Sequence, residues 1–181
     1  MKIELKNLKI NLTFSEETTM FTADLAVNGV LVGEANNDGR GGCTFYSVRT
    51  YDAKKQTFLS DSEKERNREL LKQAETYCLS LPKVRVEEYD FEFDMNLEHF
   101  IDNLVTAELE KKEKKKMEKQ MVNSIIWGKP KGHSYSQVKF KIPLAQVTTN
   151  RLQEIVDKYK KELKEGEVFL NTNLESLGIK L

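Results

Sequence analysis

The sequence predicts an α+β protein. Two-residue alternation of apolar side chains dominates the N-terminal part, capping-box and helical spacing take over from Ser60, and a long lysine-rich helical stretch precedes one more strand and helix pattern. The architecture implied is an N-terminal antiparallel β-meander packed by a helix, then a long second helix, then a C-terminal strand-helix unit. Residues 1–96 would form the sheet and its covering helix and residues 97–181 the rest, with one continuous domain as the alternative.

Ile3, Leu5, Leu8, Ile10, Leu12 and Phe14 mark a first strand whose parity slips near Asn7, the signature of a bulge. After the polar SEETT turn, Phe21, Ala23, Leu25 and Val27 share one face, and Asn28-Gly29 supplies the positive φ angles of a type I′ hairpin turn. TFYSVRTY is again strand-like, which gives a meander of three or four strands. Ser60 and Glu63 then have capping-box spacing. Leu70, Leu71, Ala74, Tyr77, Cys78 and Leu81 form a helical stripe that would cover the wet side of the meander before Pro82 stops it.

KVRVEEYDFEFDMN reads as one kinked strand, with Tyr89, Phe91 and Phe93 on one side; Val84 and Val86 have the opposite parity, which places either a bulge or a break near Glu87 and Glu88. Asn96 caps a helix with Leu97, Phe100, Ile101, Leu104, Val105 and Leu109 on its apolar positions. The stripe disappears in KKEKKKMEK and returns at Val122, Ile125, Ile126 and Trp127. A single helix through all of this would run roughly 40 Å, with its middle in solvent. GKPKGHSYS is a loop, and Val138, Phe140 and Ile142 alternate as a strand. A last helix starts near Asn150 with Gln153 at the capping-box position and ends at Gly166, ahead of a short strand and an apolar end. The expected core includes Leu5, Phe21, Leu25, Leu70, Tyr77, Phe91, Phe100, Leu104, Phe140, Leu152 and Ile155.

At 181 residues the chain can bury a core without staples. Its 29 Lys and Arg balance 29 Asp and Glu, so an electrostatic partner would have to be met by a local patch. Cys43 and Cys78 belong to no CxxC pair, which fits a reducing compartment and predicts neither a disulfide framework nor a structural zinc. The alternating N-terminus lacks the apolar run of a signal peptide or membrane anchor, so a cytoplasmic location is expected.

The glycine-rich stretch NDGRGGC, residues 37–43, is the first candidate site. Backbone N–H groups beside Gly39, Gly41 and Gly42 could grip a phosphate with Arg40 as a fork, yet no dinucleotide or P-loop spacing is present, and a wide turn between strands explains the same residues. Cys43 would need His133 or His99 as a base, with Asp38 or Asp24 to orient it, before it could act as a nucleophile. Asp90, Glu92 and Asp94 form an acidic row that suits a shared cation or a basic partner, and equally the wet face of a sheet. The lysine run, with Trp127 and Tyr135 as nearby stacking surfaces, could follow phosphates; it also reads as an exposed helix held by Lys–Glu pairs.

The SEETTMFTADLAVNG hairpin followed by NDGRGGC resembles small proteins encoded by bacteriophages and mobile elements of gut Bacteroidota, and the tail LNTNLESLGIKL is similar to endings in the same group. The resemblance implies an accessory protein acting inside a bacterial cell, and it transfers no activity and no residue role. On this basis a non-catalytic binding protein is expected, one that binds or inhibits a host or defence protein through Asp38, Arg40, Cys43 and Tyr46. One alternative is a small enzyme or nucleotide binder using Asp38, Arg40, Cys43 and His133; another is nucleic-acid binding through the lysine-rich helix. No metal, cofactor or membrane partner is called for, and the second helix offers a handle for a second copy of the chain.

Overall fold

The computed structural model describes residues 1–86, 90–130, 132 and 134–181. These divide into two compact units, Met1–Leu109 and Glu110–Leu181, so the first turns of the long helix belong with the N-terminal sheet.

In the first unit, Ile3–Ile10 (β1), Phe21–Val27 (β2), Val30–Asn37 (β3) and Phe45–Val48 (β4) form an antiparallel sheet in sequence order. The parity slip in β1 is a bulge: Asn7 has φ 50° and the register with β2 shifts between Lys6 and Lys9. Asn28 and Gly29, at φ 49° and 84°, make the hairpin turn between β2 and β3. The first strand stops earlier than its alternation suggests. Leu12–Phe14 is a 3₁₀ turn whose first N–H groups need a cap; the Asn11 side chain accepts from the Thr13 N–H, and Leu12 and Phe14 are left exposed.

Asp61–Leu79 (α1) begins on the complete Ser60/Glu63 capping box and lays Leu71, Ala74 and Cys78 against the sheet. Two short strands, Tyr51–Asp52 (β5) and Thr57–Phe58 (β6), pair just before it. The long helix, Leu97–Met121 (α2), adds Leu97, Ile101 and Val105 to the same core. Phe100 and Leu104 of the expected core are only partly buried, because the buried stripe runs one residue out of phase with them.

The segment read as one kinked strand is a hairpin. Val84–Val86 (β7) and Phe91–Phe93 (β8) pair antiparallel, Val84 opposite Phe93 and Arg85 opposite Glu92. Chain reversal between the two strands accounts for the inverted parity. The hairpin stands off the core, so Phe91 is 58% exposed, contrary to its expected burial. The break near Glu87 and Glu88, and Tyr89 itself, lie outside the described residues.

In the second unit, Ser124–Gly128 (β9) is the fully buried centre of a three-stranded antiparallel sheet between Tyr135–Lys139 (β10) and Val168–Phe169 (β11). The helix therefore ends at Met121 and does not continue to Trp127: β-branched Ile125 and Ile126 fit the pleat between two flanking strands. The buried Asn171 side chain completes β9, accepting from the Ile126 N–H at 2.6 Å and donating to the Ser124 carbonyl at 2.9 Å. Thr149–Lys160 (α3) covers the sheet with Leu152 and Val156, which meet Ile125, Trp127, Leu144, Leu174 and Ile179. Gln153 does not cap this helix. Thr148 is the N-cap residue, and the Gln153 side chain donates to Asp157 and to the Lys180 carbonyl. The helix closes at Lys160, short of Gly166, which serves a later turn at φ 80°.

Candidate functional site

The glycine loop is tied down mainly through its own backbone. The buried Asn37 side chain accepts from the Gly39 N–H at 2.8 Å and from the Thr18 hydroxyl at 2.8 Å, and donates to the Gly42 carbonyl and the Thr44 hydroxyl. The Gly39 carbonyl accepts from the N–H groups of Glu16, Glu17 and Thr18 at 2.9 to 3.3 Å, locking the loop to the SEETT turn. Gly41 N–H donates to Thr18 Oγ1 and Arg40 N–H to Asp38 Oδ1. The backbone donors that a phosphate cradle would need at Gly39 and Gly41 are thus spent within the fold.

Asp38, Arg40 and Cys43 are exposed on this loop, and Arg40 makes no ion pair among the described residues. Tyr46 is turned elsewhere: half-buried in β4, it donates to Glu75 Oε1 of α1 at 3.1 Å. Burial first, and then the Glu75 carboxylate, push the Tyr46 phenol up to about 12. Thr44 links the loop to α2, its N–H donating to Glu98 Oε1 at 3.1 Å and its hydroxyl to Asp102 Oδ1 at 2.5 Å. Burial raises the Asp102 carboxyl, with Glu98 adding to the effect and the Thr44 hydrogen bond opposing it.

No hydrogen bond joins Cys43 to His99 among the described residues. His99 Nδ1 lies 2.7 Å from Asn96 Oδ1, and the ring packs 4.6 Å from Phe93. His133, the other candidate base, lies outside the described residues. Cys78 is buried against the sheet, and its thiol is pushed up to about 11 by burial and then by Glu75. Two members of the acidic row are paired at the β7–β8 hairpin, Asp90 with Arg85 at 2.7 Å and Asp94 with Lys83 at 3.4 Å. No group of three His, Cys, Asp or Glu able to hold a metal occurs among the described residues.

A second concavity, wholly within the C-terminal unit, has a different character. Lys112, Lys115, Lys116 and Lys119 line it from α2 together with Gln120; β10 contributes Gln137 and Lys139, Asn123 joins from the link after α2, and Ser124 from the start of β9. Its volume is about 570 Å³. At 3.6 residues per turn the four helical lysines fall within about 100° of arc. Glu113 and Glu118 lie off that arc, and none of the five lysines makes an ion pair among the described residues. β10 is brought here by its register with β9, where Gln137 stands opposite Ile126 and Lys139 opposite Ser124. The Tyr135 hydroxyl donates to Gln120 at 2.6 Å and fixes the strand to the end of α2.

No protein family, curated protein or solved structure matches the chain.

The charges of the two units are opposite. Residues 1–109 carry 13 Lys and Arg against 20 Asp and Glu, a net −7, whereas residues 110–181 carry 16 against 9, a net +7. Neutrality of the whole is a sum and not a property of the surface around the lysine cleft. Trp127, expected as a stacking surface beside the lysine run, is instead core, 4.5 Å from Tyr159 and 6.3 Å from Phe169. Gln137 and Lys139 were invisible as site residues from α2 alone; the alternation QVKFK and a charge count by halves are the signals that could have found them. No helix among the described residues is long and apolar enough to cross a membrane.

Proposed function

We propose that the chain is a non-catalytic binding protein that takes a phosphate-bearing polyanion in the lysine cleft of its C-terminal unit. One observation carries this: five lysines converge on one concave surface without carboxylate partners among the described residues, in a unit of net charge +7. Lysine heads so placed repel one another, and a polyanion relieves that repulsion while releasing its own condensed counterions. Gln120, Asn123, Ser124 and Gln137 supply neutral donors for phosphate oxygens between the charges. The test is fluorescence anisotropy of the full chain with labelled polyanions (inorganic polyphosphate, heparin, nucleic acid) at low salt. The triple variant Lys112→Gln, Lys116→Gln, Lys139→Gln should lose at least tenfold in affinity. Wild-type affinity in that variant would remove the cleft from the proposal.

A second binding surface is favoured by the glycine loop, where Asp38, Arg40 and Cys43 are held outward by a backbone that cannot readily rearrange, next to the exposed rings of Phe14 and Phe45. The resemblance to phage and mobile-element proteins supports a host or defence protein as its partner and the bacterial cytoplasm as its setting. Arg40→Glu should abolish recovery of a defined protein from host lysate without changing the melting temperature. Undiminished recovery would dismiss the loop as a contact surface.

A further inference from the structure

Resting on the polyanion reading of the lysine cleft, we infer that its occupant is the sugar-phosphate backbone of a nucleic-acid duplex, held without reading sequence. The lining decides among polyanions. Among the described residues it contains no aromatic side chain, whereas proteins that hold single strands stack bases on aromatic rings. Of the described rings near the lining in sequence, Trp127 is in the core against Tyr159, Phe140 packs against the same core, and the Tyr135 hydroxyl is held by Gln120. A duplex keeps its bases stacked internally and presents phosphates, so it asks for no such platform.

Among the described residues the lining also contains no arginine and no carboxylate. Arginine forks are the usual readers of guanine edges, and carboxylates accept from cytosine amino groups or bind the ribose hydroxyls of free nucleotides. Lysine is a point charge on a flexible stem, suited to phosphate and indifferent to base identity. The charges are arranged as a track and not as a closed pocket. Lys112 to Lys119 rises about 10 Å along the helix axis, and Lys139 stands on β10, an edge strand of its sheet. A single small phosphate would compensate only one or two of the five charges, while successive phosphates along a strand can meet them all.

The counterion relation makes this quantitative. Five lysine–phosphate contacts give a slope of about −4.5 for log affinity against log salt on a duplex, and about −3.5 on a single strand. Raising salt from about 50 to about 200 mM should then weaken duplex binding roughly 500-fold. The experiment titrates the full chain into a short labelled DNA duplex, each of its separated strands, a second duplex of unrelated sequence, and inorganic polyphosphate, each across a salt series. The expected result is equal affinity for the two duplexes, weaker binding of either strand, and the steep slope. In Lys112→Gln/Lys116→Gln the slope should fall by about 1.8, and in Lys139→Gln, on a different element, by about 0.9. Tighter binding of single strands, a marked preference between the duplexes, or unchanged slopes in both variants would overturn the duplex assignment. Binding of polyphosphate with no binding of duplex would overturn this assignment and leave the polyanion reading standing. No binding of any of the five at low salt would overturn both.

Discussion

Gly39 and Gly42 sit three residues apart in one loop and do different work. Gly39 is buried at φ 84°, and a Cβ there would lie 2.8 Å from the Phe14 carbonyl oxygen and 2.9 Å from Met20 Cβ. Gly42 has an ordinary φ and open space around it. Gly39→Ala should therefore cost about 2 to 3 kcal/mol, combining left-handed strain with a backbone clash, while Gly42→Ala should change stability by less than about 0.5 kcal/mol. Chemical denaturation of the two variants checks the contrast; equal losses would mean the loop is not seated against the SEETT turn as described. In the sequence the three glycines look alike, because the crevice that distinguishes them is made by residues 14 to 20, which pack from a separate segment. Asn37 is the other hidden residue. It reads as one more polar loop position, yet its buried amide gathers the hydrogen bonds of the whole loop.

At the scale of elements, what was legible is what is local. The Asn28-Gly29 turn, the Ser60/Glu63 capping box, the bulge at Asn7 and the Asn96 cap, whose side chain accepts from the His99 N–H at 2.8 Å, each follow from residues a few positions apart. Two elements were misread because their patterns have more than one solution. Inverted alternation before and after Glu87 fits a bulged strand and a hairpin equally, and pairing alone chooses between them. An apolar run such as VNSIIWG fits a helix end or a buried strand until its neighbours are known. The lysine half of α2 is an element with a conflict built in. Lys112/Lys115, Lys112/Lys116, Lys115/Lys119 and Lys116/Lys119 are like-charge pairs at helical contact spacing, together worth on the order of 1 to 2 kcal/mol of repulsion at low salt. Because Gln and Lys have similar helix propensity, Lys116→Gln should raise the melting temperature by about 1 to 3 °C in dilute buffer, and the gain should vanish in about 1 M salt. The same substitution should weaken the proposed polyanion binding. A drop in melting temperature would show that Lys116 supports the fold and is not held in reserve for a ligand.

For the whole molecule, the α+β class and the N-terminal antiparallel sheet could be read from the chain, because those elements announce their own periods. The lysine cleft could not, since it depends on the register by which β10 returns along β9 to stand Gln137 and Lys139 beside the end of α2. The charge partition was always countable and was concealed by addition, −7 in one unit cancelling +7 in the other. That cancellation has a practical consequence for anyone purifying the protein. At its isoelectric point, near pH 6.8, an evenly mixed surface would pass through an ion-exchange column of either sign, but this chain should be retained on both resins, each grasping the half that suits it.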